Sequence, residues 1–276
     1  MPDILYEVAG PVARLTLNRP ERGNGLTRGL LEELERLIER ADLDPEVHVL
    51  VLRGAGSGFC GGYDLVEAAE TQLPNHDPSE PWDPMLDYAM MSRNVRSFMA
   101  LQRCTKPVIC QVHGFCVAGG TDLALCSDLL VAAEDTKIGY PPARVWGSPT
   151  TAMWAYRLGP QRAKRLLFTG DSLTGAQAAE WGLALEAWPA GELEERVEAL
   201  AGRIARLPAN QLQMMKLLCN QWFEAGGLAS SQIVGTLLDG IARHTREGYA
   251  FQQLAAAEGF REAVRQRDQP FGDFGR

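Results

Sequence analysis

The sequence has few groups with which to hold a metal and none arranged to do so. Its four histidines, His48, His76, His113 and His244, lie far apart, with no HExxH and no Cys/His spacing, so no metal site is expected. The six cysteines, Cys60, Cys104, Cys110, Cys116, Cys126 and Cys219, form no CxxC pair and no secreted framework. Most sit in apolar surroundings and read as reduced, buried thiols. No stretch approaches the roughly 18 apolar residues of a membrane span, and the opening MPDILYEVAG lacks a basic region followed by an apolar run. A cytoplasmic protein without a membrane span is the expectation. Positive charge is also short: 27 basic against 35 acidic side chains leave a net charge of −8. That balance argues against nucleic-acid binding, which needs clustered cations to displace counterions from phosphates.

What is present is 276 residues, 46% of them hydrophobic, and 28 glycines. At this length roughly three quarters of the unfolded surface can be buried without disulfides or metal. The first half alternates β-rich runs with glycine turns and helices: ILYEV and VARLTL, a helix from about Thr27, then VHVLVLRG, VICQVHG and DLLVAAE, the pattern of an α/β domain. Leu26, Leu30, Leu34, Leu37, Ile38 and Ala41 fall at helical spacing, one stripe facing a sheet. After residue 190 the pattern becomes helical. Leu193, Val197, Leu200 and Ile204 form one stripe, and Leu212, Met215, Cys219 and Trp222 another; exposed stripes there would favour self-association. We divide the chain into a core over 1–190 and a helical region over 191–276. Thr71 to Pro84 carries four prolines and is expected as a long loop. The methionines that follow it, Met85, Met90, Met91 and Met99, pack a core or adapt to an acyl chain.

Two glycine-rich elements stand at strand-to-helix junctions: GFCGGYDL from Gly58 and GFCVAGGTDLAL from Gly114. Glycine there lets the backbone approach a ligand and aim amides at it. Neither matches a dinucleotide fingerprint or GxxxxGK[ST].

With LNRPERGNGL before them, KPVICQVHGFCVAGGTDLALCSDLLVAAEDTKIG around the second, and FTGDSLTGAQAAEWGL after, the sequence resembles the enoyl-CoA hydratase/isomerase superfamily, the crotonases. The resemblance implies an α/β spiral of ββα repeats (ClpP-like), then helices that build trimers, often paired into hexamers. It implies an acyl-CoA thioester whose carbonyl oxygen lies between Tyr63 N–H and Gly119 N–H, opposing the negative charge of a developing enolate. Coenzyme A then belongs to the substrate and no separate cofactor is required. Arg22 and Asn24 fall in the strip that meets coenzyme A, and Arg267 and Phe271 in the terminal helix that completes its binding, with Asp268 where a basic residue is common.

Hydratases of the family use two glutamates. Their motif positions here are Asp122 and Pro142, so one carboxylate is shortened and the other is absent. The IGYPPARVWGSP region is also short relative to the family. Asp122 is the general acid/base candidate, against a structural alternative as a first-turn helix acid favoured by the dipole. Tyr140, Pro142, Arg144 and Trp146 are expected to line the pocket, with Tyr140 able to give a proton or position water. Asp64, Asp128 and His113 read as structural. The leading reading is a nominal enoyl-CoA hydratase with Asp122 as its sole carboxylate. Related enolate chemistry (C–C hydrolysis, decarboxylation or isomerisation) and a non-catalytic acyl-CoA-binding protein remain open beside it.

Overall fold

The computed structural model describes residues 1–65 and 81–272. Strands β1 (Ile4–Ala9) and β2 (Val12–Leu17) form an antiparallel hairpin closed by Gly10 at φ 56°, a left-handed backbone that lacks a steric penalty only without a β-carbon. Helix α1 (Arg28–Leu43) starts where Thr27 accepts the Leu30 N–H, and it buries Leu30, Leu31, Leu34, Leu37, Ile38 and Ala41. Leu26 stays outside the helix and bridges to Tyr63. The crossover through α1 makes β3 (Val49–Gly54) parallel to β2.

Of the proline-rich stretch, residues 71–80 lie outside the described residues. Pro84 is not in a loop. It opens helix α2 (Pro84–Arg103), where Asp83 caps the Met85 and Leu86 amides and a proline needs no N–H. Met99 is buried on this helix, Met90 and Met91 are half-buried, and Met85 is exposed.

The chain continues through β4 (Val108–Val112), β5 (Phe115–Val117), α3 (Gly119–Ala124), β6 (Leu129–Ala133), β7 (Lys137–Gly139), a turn over Pro141–Arg144, α4 (Met153–Thr169), β8 (Ser172–Leu173), α5 (Gly175–Trp181) and β9 (Glu186–Trp188). Two sheets result, in the orders β1-β2-β3-β4-β6-β9 and β5-β7-β8. Helix α6 (Leu193–Ile204) lays Leu193, Val197 and Ala201 on Val12, Val49, Val51, Ile109 and Val131. The larger core, with α1, covers the opposite face. Burial on both faces is why β3 and β4 read as continuous apolar runs and not as alternation.

Helices α7 (Ala209–Ala225), α8 (Leu228–Arg243), α9 (Arg246–Glu258) and α10 (Phe260–Asp268) follow. On α7, Leu212 is buried while Met215, Cys219 and Trp222 are exposed. Helix α8 is turned inside out: Ile233, Val234, Leu238 and Ile241 are exposed, whereas Thr236, Asp239 and Arg243 are buried. Among the described residues no helix is long and apolar enough to cross a membrane.

Candidate active site

The two glycine-rich loops are joined side by side. Phe59 N–H donates to Phe115 O at 2.9 Å and Val117 N–H to Cys60 O at 3.1 Å, with Cys60 and Cys116 in parallel bridge. Gly62, at φ 103°, makes the contact possible: a β-carbon there would lie 2.9 Å from Ala118 Cβ and 3.2 Å from Gly119 N. Tyr63 N–H and Gly119 N–H therefore stand across one junction. Leu26 N–H donates to Gly62 O and Asp64 N–H to Leu26 O, which leaves out the amide between them. Among the described residues neither Tyr63 N–H nor Gly119 N–H donates to a loop backbone oxygen. Ala118, at φ 53° and ψ −129°, turns the chain from β5 into α3, a strained conformation for a residue with a β-carbon at about 1–3 kcal/mol.

Asp122 lies three residues along α3 from Gly119, hence on the same side of the helix. It is 1% exposed. Its Oδ1 accepts from Thr151 Oγ1 at 2.6 Å and Thr151 N at 3.2 Å, while Oδ2 is buried with no hydrogen-bond partner among the described residues. Burial pushes the carboxyl up to about 7; the Thr151 hydrogen bonds oppose this and the charge of Asp239 adds to it. A dipole-stabilised structural acid would move the other way. Near neutral pH the group can carry or accept a proton, the property an acid/base requires.

The Tyr63 ring packs 6.3 Å from Phe98, and its buried hydroxyl lies beside Asn94. Tyr140 donates to Ser148 O at 2.9 Å. Burial and the charges of Asp122 and Asp239 hold both phenols well above their ordinary range, so they stay neutral. Pro142 sits half-buried in the turn over Pro141–Arg144. Trp146 packs on Phe251 and Phe260, at 5.3 and 5.9 Å between ring centres.

The chain matches the Enoyl-CoA hydratase/isomerase family profile over residues 7–250. It is 34% identical to the enoyl-CoA hydratase EchA19 of Mycobacterium tuberculosis, covering 74% of this chain and 75% of that one. It is 32% identical to the 1,2-epoxyphenylacetyl-CoA isomerase of Escherichia coli, over 79% and 81%. The crystal structure of an enoyl-CoA hydratase from Mycobacterium smegmatis superposes with a TM-score of 0.96 at 57% identity, covering all of this chain and 96% of that one. The chain belongs to the enoyl-CoA hydratase/isomerase family. It has the crotonase fold and is an enzyme of that family.

Within this crotonase, several polar side chains expected at the ligand are engaged by the scaffold instead. Asn24 is fully buried, and its amide donates to Ala55, Gly58 and Phe59 carbonyls while its Oδ1 accepts Arg19 N–H. It shapes the first loop and presents no side-chain group to a ligand. Arg22 and Arg19 both bind Asp64, whose side chain is 4% exposed; Arg22 remains near the surface with its guanidinium turned to that acid. Arg144 is held by the scaffold. Its side chain is 2% exposed and binds Asp268 and the Thr169 carbonyl, and it stacks on Phe271 at 4.0 Å. Arg267 also pairs with Asp268, through two 2.8 Å hydrogen bonds. The acid at 268 thus clasps α10 to the turn at 141–144.

The structural readings of the remaining polar groups agree with their partners. Asp128 holds Val108 N–H and Lys216, and His113 meets Gly56 O. Five cysteines are buried, Cys60 pushed up to about 12 by burial, whereas Cys219 is exposed. Among the described residues no group of three His, Cys, Asp or Glu is placed to hold a metal. Sequence reasoning missed Thr151 and Asp239. A threonine just ahead of α4 carries no motif. An acid four residues before Arg243 in the otherwise apolar LLDGIAR run was the available signal for the second.

Proposed function

We propose that the protein processes acyl-CoA thioesters through an enolate, with hydration of an α,β-unsaturated thioester as the leading reaction. The buried, unpartnered Oδ2 of Asp122, close to neutrality in its proton affinity and on the helix face of Gly119, carries this reading. Tyr63 N–H and Gly119 N–H would receive the thioester oxygen. One such donor contributes about 3 kcal/mol to the transition state. Asp122 then delivers or removes the proton on the α-carbon. Two amides and an acid/base complete this step, and coenzyme A enters with the substrate, so the reaction as written calls on no separate cofactor.

The likeness to the 1,2-epoxyphenylacetyl-CoA isomerase favours keeping isomerisation of a bulkier acyl group as a second reading. The exposed apolar residues of α7 and α8 support self-association, for which we propose a trimer or a hexamer built from trimers. Product analysis with short, medium and long unsaturated acyl-CoA esters tests the central claim. Wild type should turn over at least one ester, and Asp122→Asn should lose about 100- to 10,000-fold in kcat while still binding it. Equal rates in the two proteins reject Asp122 as the acid/base.

A further inference from the structure

The loop that lacks a glutamate at 142 has a carboxylate beside it from another part of the chain. A β-carbon at Gly147 would lie 3.0 Å from Pro142 Cβ, 3.4 Å from Tyr140 Oη and 3.6 Å from Asp239 Oδ1. All three atoms lie within 3.6 Å of one position, beside the Pro142 turn. Asp239 reaches it from α8, the helix that turns its apolar residues outward and its polar residues in. Its Oδ1 accepts Ser148 N–H at 3.2 Å and its Oδ2 accepts Arg243 Nε at 3.2 Å. The same guanidinium binds Asp87 Oδ1 at 2.8 Å. Trp82 Nε1 and His244 Nδ1 also face Asp87, at 3.2 and 3.6 Å. The charge of Asp239 raises Asp122, Tyr63 and Tyr140.

The geometry points to Asp239 as the second carboxylate of the site, the base for the β-carbon where Pro142 supplies none. This inference rests on the hydration reading above. In the hydration direction a water oxygen forms the bond to the β-carbon and its proton passes to the Asp239 carboxylate. The π electrons move into the thioester as an enolate, and the Asp122 proton forms the new α C–H bond as the enolate collapses. Asp239 ends neutral and Asp122 ionised, and exchange with solvent restores both. Burial raises the proton affinity of Asp239 and Arg243 opposes it. Asp122, with no cation hydrogen-bonded to it among the described residues, is the better acid partner.

A partial reaction separates this role from a structural one. Exchange of the α-proton of a saturated acyl-CoA in deuterium oxide needs Asp122 and the two amides but no attack at the β-carbon. Asp239→Asn, whose amide oxygen can still accept Ser148 N–H, should lose about 100-fold or more in hydration and retain α-exchange near the wild-type rate. Asp239→Glu should recover part of the hydration with exchange intact, and it carries the test if the asparagine variant does not fold. Parallel loss of both reactions would make Asp239 a strut and overturn the inference. So would undiminished hydration in Asp239→Asn, or a wild type that exchanges but hydrates no ester of the panel. A wild type that exchanges nothing removes the functional reading itself.

Discussion

Asp64 and Asp122 are both buried acids in motif positions on the two glycine-rich loops, and they are treated in opposite ways. Asp64 receives Arg19 at 2.9 Å and Arg22 at 3.0 Å. Among the described residues Asp122 receives only Thr151, on one oxygen, and burial governs the other. A buried carboxylate that clamps two arginines acts as a bolt. One with an unpartnered buried oxygen hovers between its two forms, the state that an acid/base needs. The difference separates scaffold from chemistry more sharply than motif position does.

A loss of stability is expected from removing the bolt. Asp64→Ala leaves two guanidinium groups without their shared acceptor, next to the amide of Tyr63. Removing one partner of a buried ion pair costs about 3–5 kcal/mol; Arg19 and Arg22 retain some exposure, so the loss should fall at or below the low end. Urea unfolding of wild type and variant measures it. A change within error would mean that the arginines are hydrated well enough alone, and Asp64 would no longer stand as the contrast to Asp122.

Asp122 should behave in the reverse sense. Its carboxyl rises from about 3.8 in the unfolded chain to about 7 in the folded one. The folded state therefore binds the proton more tightly, and stability is lost as pH climbs from about 4 to about 7, by an amount on the order of 4 kcal/mol. Asp122→Asn has no charge to bury. It should melt above wild type at pH 8, with the gap closing as pH falls towards 5. A variant less stable than wild type at pH 8 would show that the carboxylate is stabilising, as Asp64 is. The same substitution that abolishes turnover is thus expected to strengthen the fold, the trade of an active site held in a destabilised state.

Which acid would play which part was only half legible from the sequence. The strands and α1 follow from periodicity and glycine placement, because those are local properties of the chain, whereas the pairing of the two loops is implied only by the resemblance. Asp122 was found by motif. For Asn24 and Arg267 the resemblance implies contact with coenzyme A, and Arg144 is expected beside the acyl pocket; the scaffold groups that hold all three are not legible in the sequence. Their partners, Phe59 O for Asn24 and Asp268 for both arginines, are set by tertiary contact. Asp239 was missed for the same reason. It comes from a helix far along the chain, and only the fold brings it to Gly147.

Thr151 gives the finest adjustment to the contrast, and the smallest effect. Its hydroxyl and amide are the groups that lower the proton affinity of Asp122 against burial. Thr151→Val keeps the amide and the shape but removes the 2.6 Å hydroxyl bond, worth about 1.5–3 kcal/mol when the acceptor is charged. The carboxyl should then rise further above 7. If protonated Asp122 is the form that gives the α-proton, kcat falls with rising pH as the group ionises, and in the valine variant that fall moves to higher pH. At pH 6, where both proteins hold the proton, the rates should differ by no more than about 10-fold, the share left for orientation alone. A fall that stays in place would mean that the alkaline limb belongs to another group, and the assignment of the proton to Asp122 would go with it.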